Sequence, residues 1–180
     1  MTDRLAEVLQ TERLILRRPR ESDALALFEA YTRDAEVARY MVWRPHAALT
    51  ETEGFIAACI RDWPSELRRA YVLALRDRNE HPVGMLDARR HSHVVDIGYV
   101  LARSHWGKGL MPEAIRAFTT AALRIPGVFR VQATCDIENR ASVRALEKSG
   151  FAREARLERH TLHPNISPGP RPCFMYARCK

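Results

Sequence analysis

The stretch from Val94 to Leu123 leaves the chain the least choice. Val94–Leu101 is apolar and rich in β-branched residues, as a strand requires. It runs into Ser104-His105-Trp106-Gly107-Lys108-Gly109, a turn carrying two glycines. Beyond the turn, Met111, Ala114, Ile115, Phe118, Ala122 and Leu123 recur at helical spacing, with Pro112 in the first turn, where a missing N–H does no harm. Strand, glycine turn and helix in direct succession call for helices layered on a sheet. The first N–H groups of such a helix lack intrahelical partners and carry the positive end of its dipole, and glycine lets a ligand approach them closely. A phosphate or pyrophosphate is the expected guest, although a two-glycine turn before a helix also occurs with no ligand at all. The dinucleotide loop would need a third glycine where Pro112 stands, and the P-loop would need Ser or Thr where Gly109 follows Lys108.

The rest of the chain supplies the layers. Leu14–Arg17 reads as a strand and Ser22 to about Arg33 as a helix. A second helix runs from Thr50 to Asp62, with Thr50 and Glu53 spaced as a capping box. Tyr71–Leu75, a turn at Asp77–Glu80 and Pro82–Leu86 form a hairpin. Arg130–Cys135 alternates as a strand, Ala141–Ser149 is a short helix stopped by Gly150, and a strand resumes at Phe151. The proline-rich stretch Pro164–Pro172 is a loop before a last strand at Phe174–Ala177. Hairpins followed by a strand–helix–strand unit make an α+β (mixed α/β) fold, and 180 residues suit a single domain over 1–180.

Several function classes drop out. No apolar run approaches the roughly 20 residues of a membrane span, and Met1–Gln10 carries acids and does not read as a secretory signal. Four scattered cysteines (Cys59, Cys135, Cys173, Cys179) lack C-x-x-C spacing, and His91 and His93 in a hairpin loop lack suitably spaced partners, so no metal is expected. Ordinary thiols fit a reduced, cytoplasmic setting. The net charge of +7 attracts anions. However, 26 of the 29 basic residues are arginines spread among acids, where a nucleic-acid module clusters them, so no direct nucleic-acid role is predicted.

A second segment sharpens the reading. Asp136-Ile137-Glu138-Asn139-Arg140-Ala141-Ser142 joins a strand to the helix ending Glu147-Lys148-Ser149-Gly150-Phe151, with Asn139 placed as its N-cap. Together with Ser104–Gly109, Glu12–Arg17 and Tyr40–Pro45, this order of motifs resembles the GCN5-related N-acetyltransferases (GNAT), and within them the RimJ/RimL-type ribosomal-protein alanine N-acetyltransferases. The resemblance spans about residues 12–177. Two positions depart from the family habit: Ser104 stands where Gln or Arg is usual, and Leu146 where many relatives carry a tyrosine that protonates the leaving thiolate.

The resemblance implies a central, mostly antiparallel, twisted sheet flanked by helices, with the strand Val94–Leu101 splayed from a parallel neighbour, Arg130–Cys135. It implies acetyl-CoA as co-substrate and no metal. Trp106, Gly107, Lys108, Gly109 and Leu110 would bind the pyrophosphate, and Asn139 and Ser142 the pantetheine arm. A backbone N–H near Val100 and Leu101 would polarise the thioester carbonyl. Asp96 falls where histone-acetylating relatives carry their base, with Glu138 and Asp87 as weaker candidates. Gln132 falls where some relatives have an acid. Ser142 would meet the leaving thiolate, and Tyr40 and Trp43 would line the acceptor pocket. The implied acceptor is a protein N-terminal α-amine, such as that of a ribosomal protein. An α-amino group with a pKa of about 7.7–8.0 is roughly one-third neutral near pH 7.5, against about 0.1% for lysine. Small amines such as polyamines, amino acids or antibiotics, a CoA-binding protein without turnover, and arginine-mediated nucleic-acid binding stand as alternatives. A homodimer is left open.

Overall fold

The computed structural model describes residues 4–65, 67–76 and 79–180. Its strands form one eight-stranded sheet: β1 (Leu9–Gln10), β2 (Leu14–Arg17), β3 (Arg68–Leu75), β4 (Pro82–His91), β5 (Val94–Leu101), β6 (Arg130–Asp136), β7 (Ala152–Thr161) and β8 (Arg171–Cys179). The spatial order is β1-β2-β3-β4-β5-β6-β8-β7, and every neighbouring pair is antiparallel except β5 and β6. Side-chain alternation along the strands divides two cores. Tyr71 and Leu73 of β3 join the apolar faces of α4 (Leu110–Leu123) and α5 (Arg140–Lys148) on one side. Ala70, Val72 and Ala74 face α1 (Asp23–Leu27), α2 (Ala35–Ala38) and α3 (Leu49–Asp62) on the other.

The expected mixed α/β fold and splayed parallel pair are both present. Asp77 and Arg78 of the expected turn, like Met1 to Asp3, lie outside the described residues. The helix expected from Ser22 to Arg33 is α1 continued by a π-helical turn over Phe28–Thr32. The capping box is a misreading. Helix α3 starts at Leu49 with Ala48 in the N-cap position and no side-chain cap, so Thr50 sits inside the first turn. The hydroxyl that matters is two residues on. Thr52 is buried and bonds Thr32 Oγ1 at 2.8 Å and His46 Nδ1 at 2.7 Å. Pro172 stands inside β8 at its second residue, where the pairing to β7 shifts register, so no ladder bond is lost there.

Candidate active site

The chain leaves β5 through Ala102 and a short 3₁₀ turn over Arg103–His105, then enters the glycine loop. Gly107 and Gly109 hold left-handed backbones, φ +73° and +76°, which residues with a Cβ adopt only under strain. Gly109 occupies the N-cap position of α4 and brings no side chain to cap it. The Lys108 N–H closes the turn over Trp106 and Gly107, while among the described residues no acceptor meets the N–H groups of Gly107, Gly109, Leu110 or Met111. These donors converge at the positive end of a four-turn helix. A Cβ on Gly107 would meet nothing within 4 Å, so the space beside the loop is open to a ligand.

The loop is clasped from the far end of the sequence. Arg13, just before β2, donates to the Lys108 carbonyl at 2.9 Å and pairs with Glu113 in the first turn of α4 at 2.7 Å. Its own backbone N–H adds a bond of 2.9 Å to the same carboxylate. Burial pushes Glu113 up, but the bonds from Thr11 and Arg13 outweigh it and hold the carboxyl below its ordinary range.

The glycine loop borders a gap in the sheet. Strands β5 and β6 pair only over Val94–Asp96 and Arg130–Gln132, then part. A cleft of about 860 Å³ opens between them. The strand register says which amides face it. The Ala102 N–H reaches the Val83 carbonyl on β4 at 2.8 Å, while the His93 carbonyl turns the other way, to the Phe129 N–H at 2.9 Å. Alternation therefore turns the amide of Val100 to β4 and those of Tyr99 and Leu101 into the gap. A Cβ on Gly84 of β4 would strike the Val100 carbonyl, so the two strands approach closely there. The polarising N–H expected near Val100 is thus offered by Tyr99 or Leu101, because the group on Val100 itself is engaged in the β4 ladder. The Leu101 carbonyl takes the indole N–H of Trp106 at 2.7 Å, so Trp106 packs as a brace of the loop with one edge in the cleft.

On the α5 wall Asn139 caps the helix, its Oδ1 accepting from the Ser142 N–H at 3.1 Å. The Ser142 hydroxyl meets the Tyr99 phenol at 2.7 Å. Burial raises the pKa of Tyr99 well above that of a free phenol, so it stays protonated. Leu146, where relatives carry a tyrosine, is wholly buried in the core. Sequence reasoning missed Tyr99: its alternation on β5 pairs it with α5 only once the strand and helix are docked. Arg140, Arg144 and Lys148 follow one another at four-residue intervals along the cleft and have no ion-pair partner among the described residues.

Of the expected site residues, all but Lys108 and the weaker base candidate Glu138 border the cleft, Asp96, Tyr40 and Trp43 included. Lys108 contributes its carbonyl to Arg13 instead. Asp96 lies on β5 where the strands part, and its Oδ1 accepts from the Gln132 amide at 2.7 Å, with His91 Nε2 at 3.9 Å from Oδ2. The other two carboxylates are engaged by arginines: Asp87 by Arg68 at 3.0 Å and Arg89 at 2.6 Å, Glu138 by Arg171 at 2.9 Å. Asp96 and the α1–α3 side of the sheet share one half of the cleft, where the Trp43 ring packs at a tilt, 5.6 Å from His46 and 6.3 Å from Tyr31 between ring centres. Desolvation lowers the pKa of His46, which leaves it neutral at pH 7. The Tyr40 hydroxyl reaches the Glu138 carbonyl at 3.4 Å. Deeper, buried Asp136 binds Arg171 at 2.6 Å. Burial raises its pKa, but Arg171, the Glu138 amide and His163 together hold it below the usual carboxylate range. Among the described residues no cluster of His, Cys, Asp and Glu could hold a metal ion, the four cysteines are free thiols, and no helix is long and apolar enough to cross a membrane.

Known proteins repeat this arrangement. The acetyltransferase (GNAT) domain profile matches residues 13–152. The uncharacterized N-acetyltransferase p20 of Bacillus licheniformis is 30% identical over 156 residues, which cover 84% of this chain and 85% of its own. A GNAT-family acetyltransferase structure from Bacillus anthracis superposes with a TM-score of 0.82 at 25% identity, over 96% of this chain and 98% of that one. RimL, a ribosomal L7/L12 α-N-protein acetyltransferase solved in complex with coenzyme A, shares the fold at a TM-score of 0.84 and 21% identity, covering 96% and 98%.

Proposed function

The chain belongs to the acetyltransferase (GNAT) family and is an N-acetyltransferase, and we propose that it carries the acetyl group of acetyl-CoA to a protein N-terminal α-amine. The observation that carries the donor assignment is the set of unpaired amides of Gly107, Gly109, Leu110 and Met111 beside open space. Such a set fits the diphosphate of a nucleotide thioester. Arg140, Arg144 and Lys148 would draw the remaining phosphate by charge alone. Asn139 and Ser142 border the path of the pantetheine arm, with Asn139 Nδ2 left over from capping.

Each chemical role then falls to a group of known placement. Asp96 receives the proton of the incoming ammonium, directly or through one water, so that the neutral amine can attack. The Tyr99 or Leu101 N–H polarises the thioester carbonyl. The Ser142 hydroxyl, backed by the protonated Tyr99 phenol, hydrogen-bonds the sulfur as it leaves and supplies the polar group that Leu146 lacks. The acceptor enters from the side of Tyr40 and Trp43, whose aromatic walls exclude water around it.

The α-amine is favoured because about a third of its population is already neutral near pH 7.5, and because the fold is that of RimL, whose name records an α-amino substrate. The test is mass spectrometry of a panel incubated with enzyme and acetyl-CoA: peptides beginning with Ser, Ala or Met, N-blocked lysine peptides, spermidine and free amino acids. Single acetylation at peptide N-termini is expected. Turnover of the small amines with none of the peptides would sink the α-amine reading.

A further inference from the structure

We propose that Asn165, in the loop between β7 and β8, is a positioning residue for the amine acceptor, fixing the segment from Ala38 to Trp43 as a wall of the cleft. The proposal rests on the reading above that Tyr40 and Trp43 face the acceptor. Asn165 donates both amide hydrogens across the molecule, to the Ala38 carbonyl at 2.6 Å and to the Trp43 carbonyl at 2.8 Å. One planar group thereby fastens both ends of an irregular segment. The sense of the amide is forced, since its oxygen would find only another acceptor at either place.

The segment has few other ties. The Met41 N–H returns to the Ala38 carbonyl at 2.8 Å, the Tyr40 hydroxyl makes its 3.4 Å contact with Glu138, and Val42 is 66% exposed. Asn165 itself is held firmly. The Ile166 and Ser167 N–H groups bond the His163 carbonyl at 2.9 and 3.1 Å, and the Gly169 N–H bonds Ser167 Oγ at 3.1 Å. The buried His163 ring interacts with the backbone of Tyr40 and Met41 and lies 3.7 Å from Asp136 at the end of β6. The wall is thus pinned from the C-terminal half of the sheet. The glycine loop takes no part in these bonds, so the pin governs the acceptor and leaves the cofactor alone.

Two variants test this. Asn165→Ala removes both donors, and Asn165→Asp sets a carboxylate against two carbonyls. The readouts are hydrogen exchange of the amides from Arg39 to Arg44, the calorimetric Kd for acetyl-CoA, and KM and kcat with peptides bearing free N-terminal Ser or Ala. The expected result is faster exchange confined to that segment and a KM raised about five- to tenfold, more for Asp than for Ala, with kcat and Kd within about twofold. Unchanged exchange, unchanged KM, or a parallel loss of acetyl-CoA affinity overturns the proposal. If the wild-type enzyme ignores peptides, the α-amine reading fails separately. The KM comparison then moves to whichever small amine of the panel is acetylated, and the exchange measurement decides the pin whatever the acceptor.

Discussion

On the α4–α5 side of the sheet the cleft is walled by main chain, whereas on the α1–α3 side it is walled by side chains drawn from distant elements. The first wall is a set of four amides and two left-handed glycines within a few residues of sequence. The second brings Tyr40 and Trp43 together with His46, Asp96 and a pin from Asn165, spread over more than a hundred positions. On the reading proposed above, the wall of backbone would recognise what acetyl-CoA-dependent transfers share, the diphosphate of the carrier. A wall of side chains can be exchanged residue by residue without touching the first, which is how one fold serves many amines.

The sharpest way to break this division is Gly107→Val. The added side chain would stand in the open space beside the loop on a backbone of positive φ, so affinity for acetyl-CoA is expected to fall at least about a hundredfold while the melting temperature moves by only a few degrees. Isothermal calorimetry with a thermal melt reads both, and retained affinity would misplace the carrier. Next in size is Asp96→Asn, at the seam where the strands part. It is expected to lower kcat by about ten- to a hundredfold, with the affinity for acetyl-CoA unchanged, in stopped-time thiol-release assays. Trp43→Ala probes the side-chain wall: the acceptor KM is expected to rise about fivefold and the cofactor Kd to stay put, and an effect on the Kd instead would mean that the two walls are not separable.

The smallest effect belongs to Glu113→Gln, which loosens the clasp by Arg13 and should weaken acetyl-CoA binding about two- to fivefold. The same variant carries a pH signature. Glu113 is held below its ordinary value of 4.5, so its stabilising contribution is complete above that pH and is lost as the pH falls through the lower folded value. Wild type and Glu113→Gln should therefore differ in urea stability at pH 7 and converge as the pH falls from 4.5 through the lower folded value. A gap that persists once the folded carboxyl is itself protonated would show that Glu113 acts other than through its charge.

The contrast between the walls also explains what could be read in advance. The glycine loop, the helix it opens and the Asn139 cap are local: residues within one or two turns dictate them, and all three stand where the sequence places them. The helix-start signal at Thr50 and Glu53 was local too but misleading, because the spacing of a capping box does not fix where the helix begins, and tertiary packing put Ala48 at its end. Tyr99 with Ser142, Arg13 with Glu113 and Asn165 with Trp43 are separated by 43, 100 and 122 residues, and no periodicity in one segment announces its partner in the other. The Val100 amide shows a finer limit. The strand was legible, yet which of its amides face the gap depends on the register with β4, and a shift of one residue reverses the answer.

The clasp on the glycine loop has an outcome for the life of the chain. During synthesis Arg13 emerges a hundred residues ahead of Glu113, and the loop it steadies comes only five residues before that. A nascent or partly denatured molecule therefore presents the glycines without their brace. On the proposed placement of the carrier, it meets the braced form of the loop only once the segment bearing Arg13 has docked beside the helix.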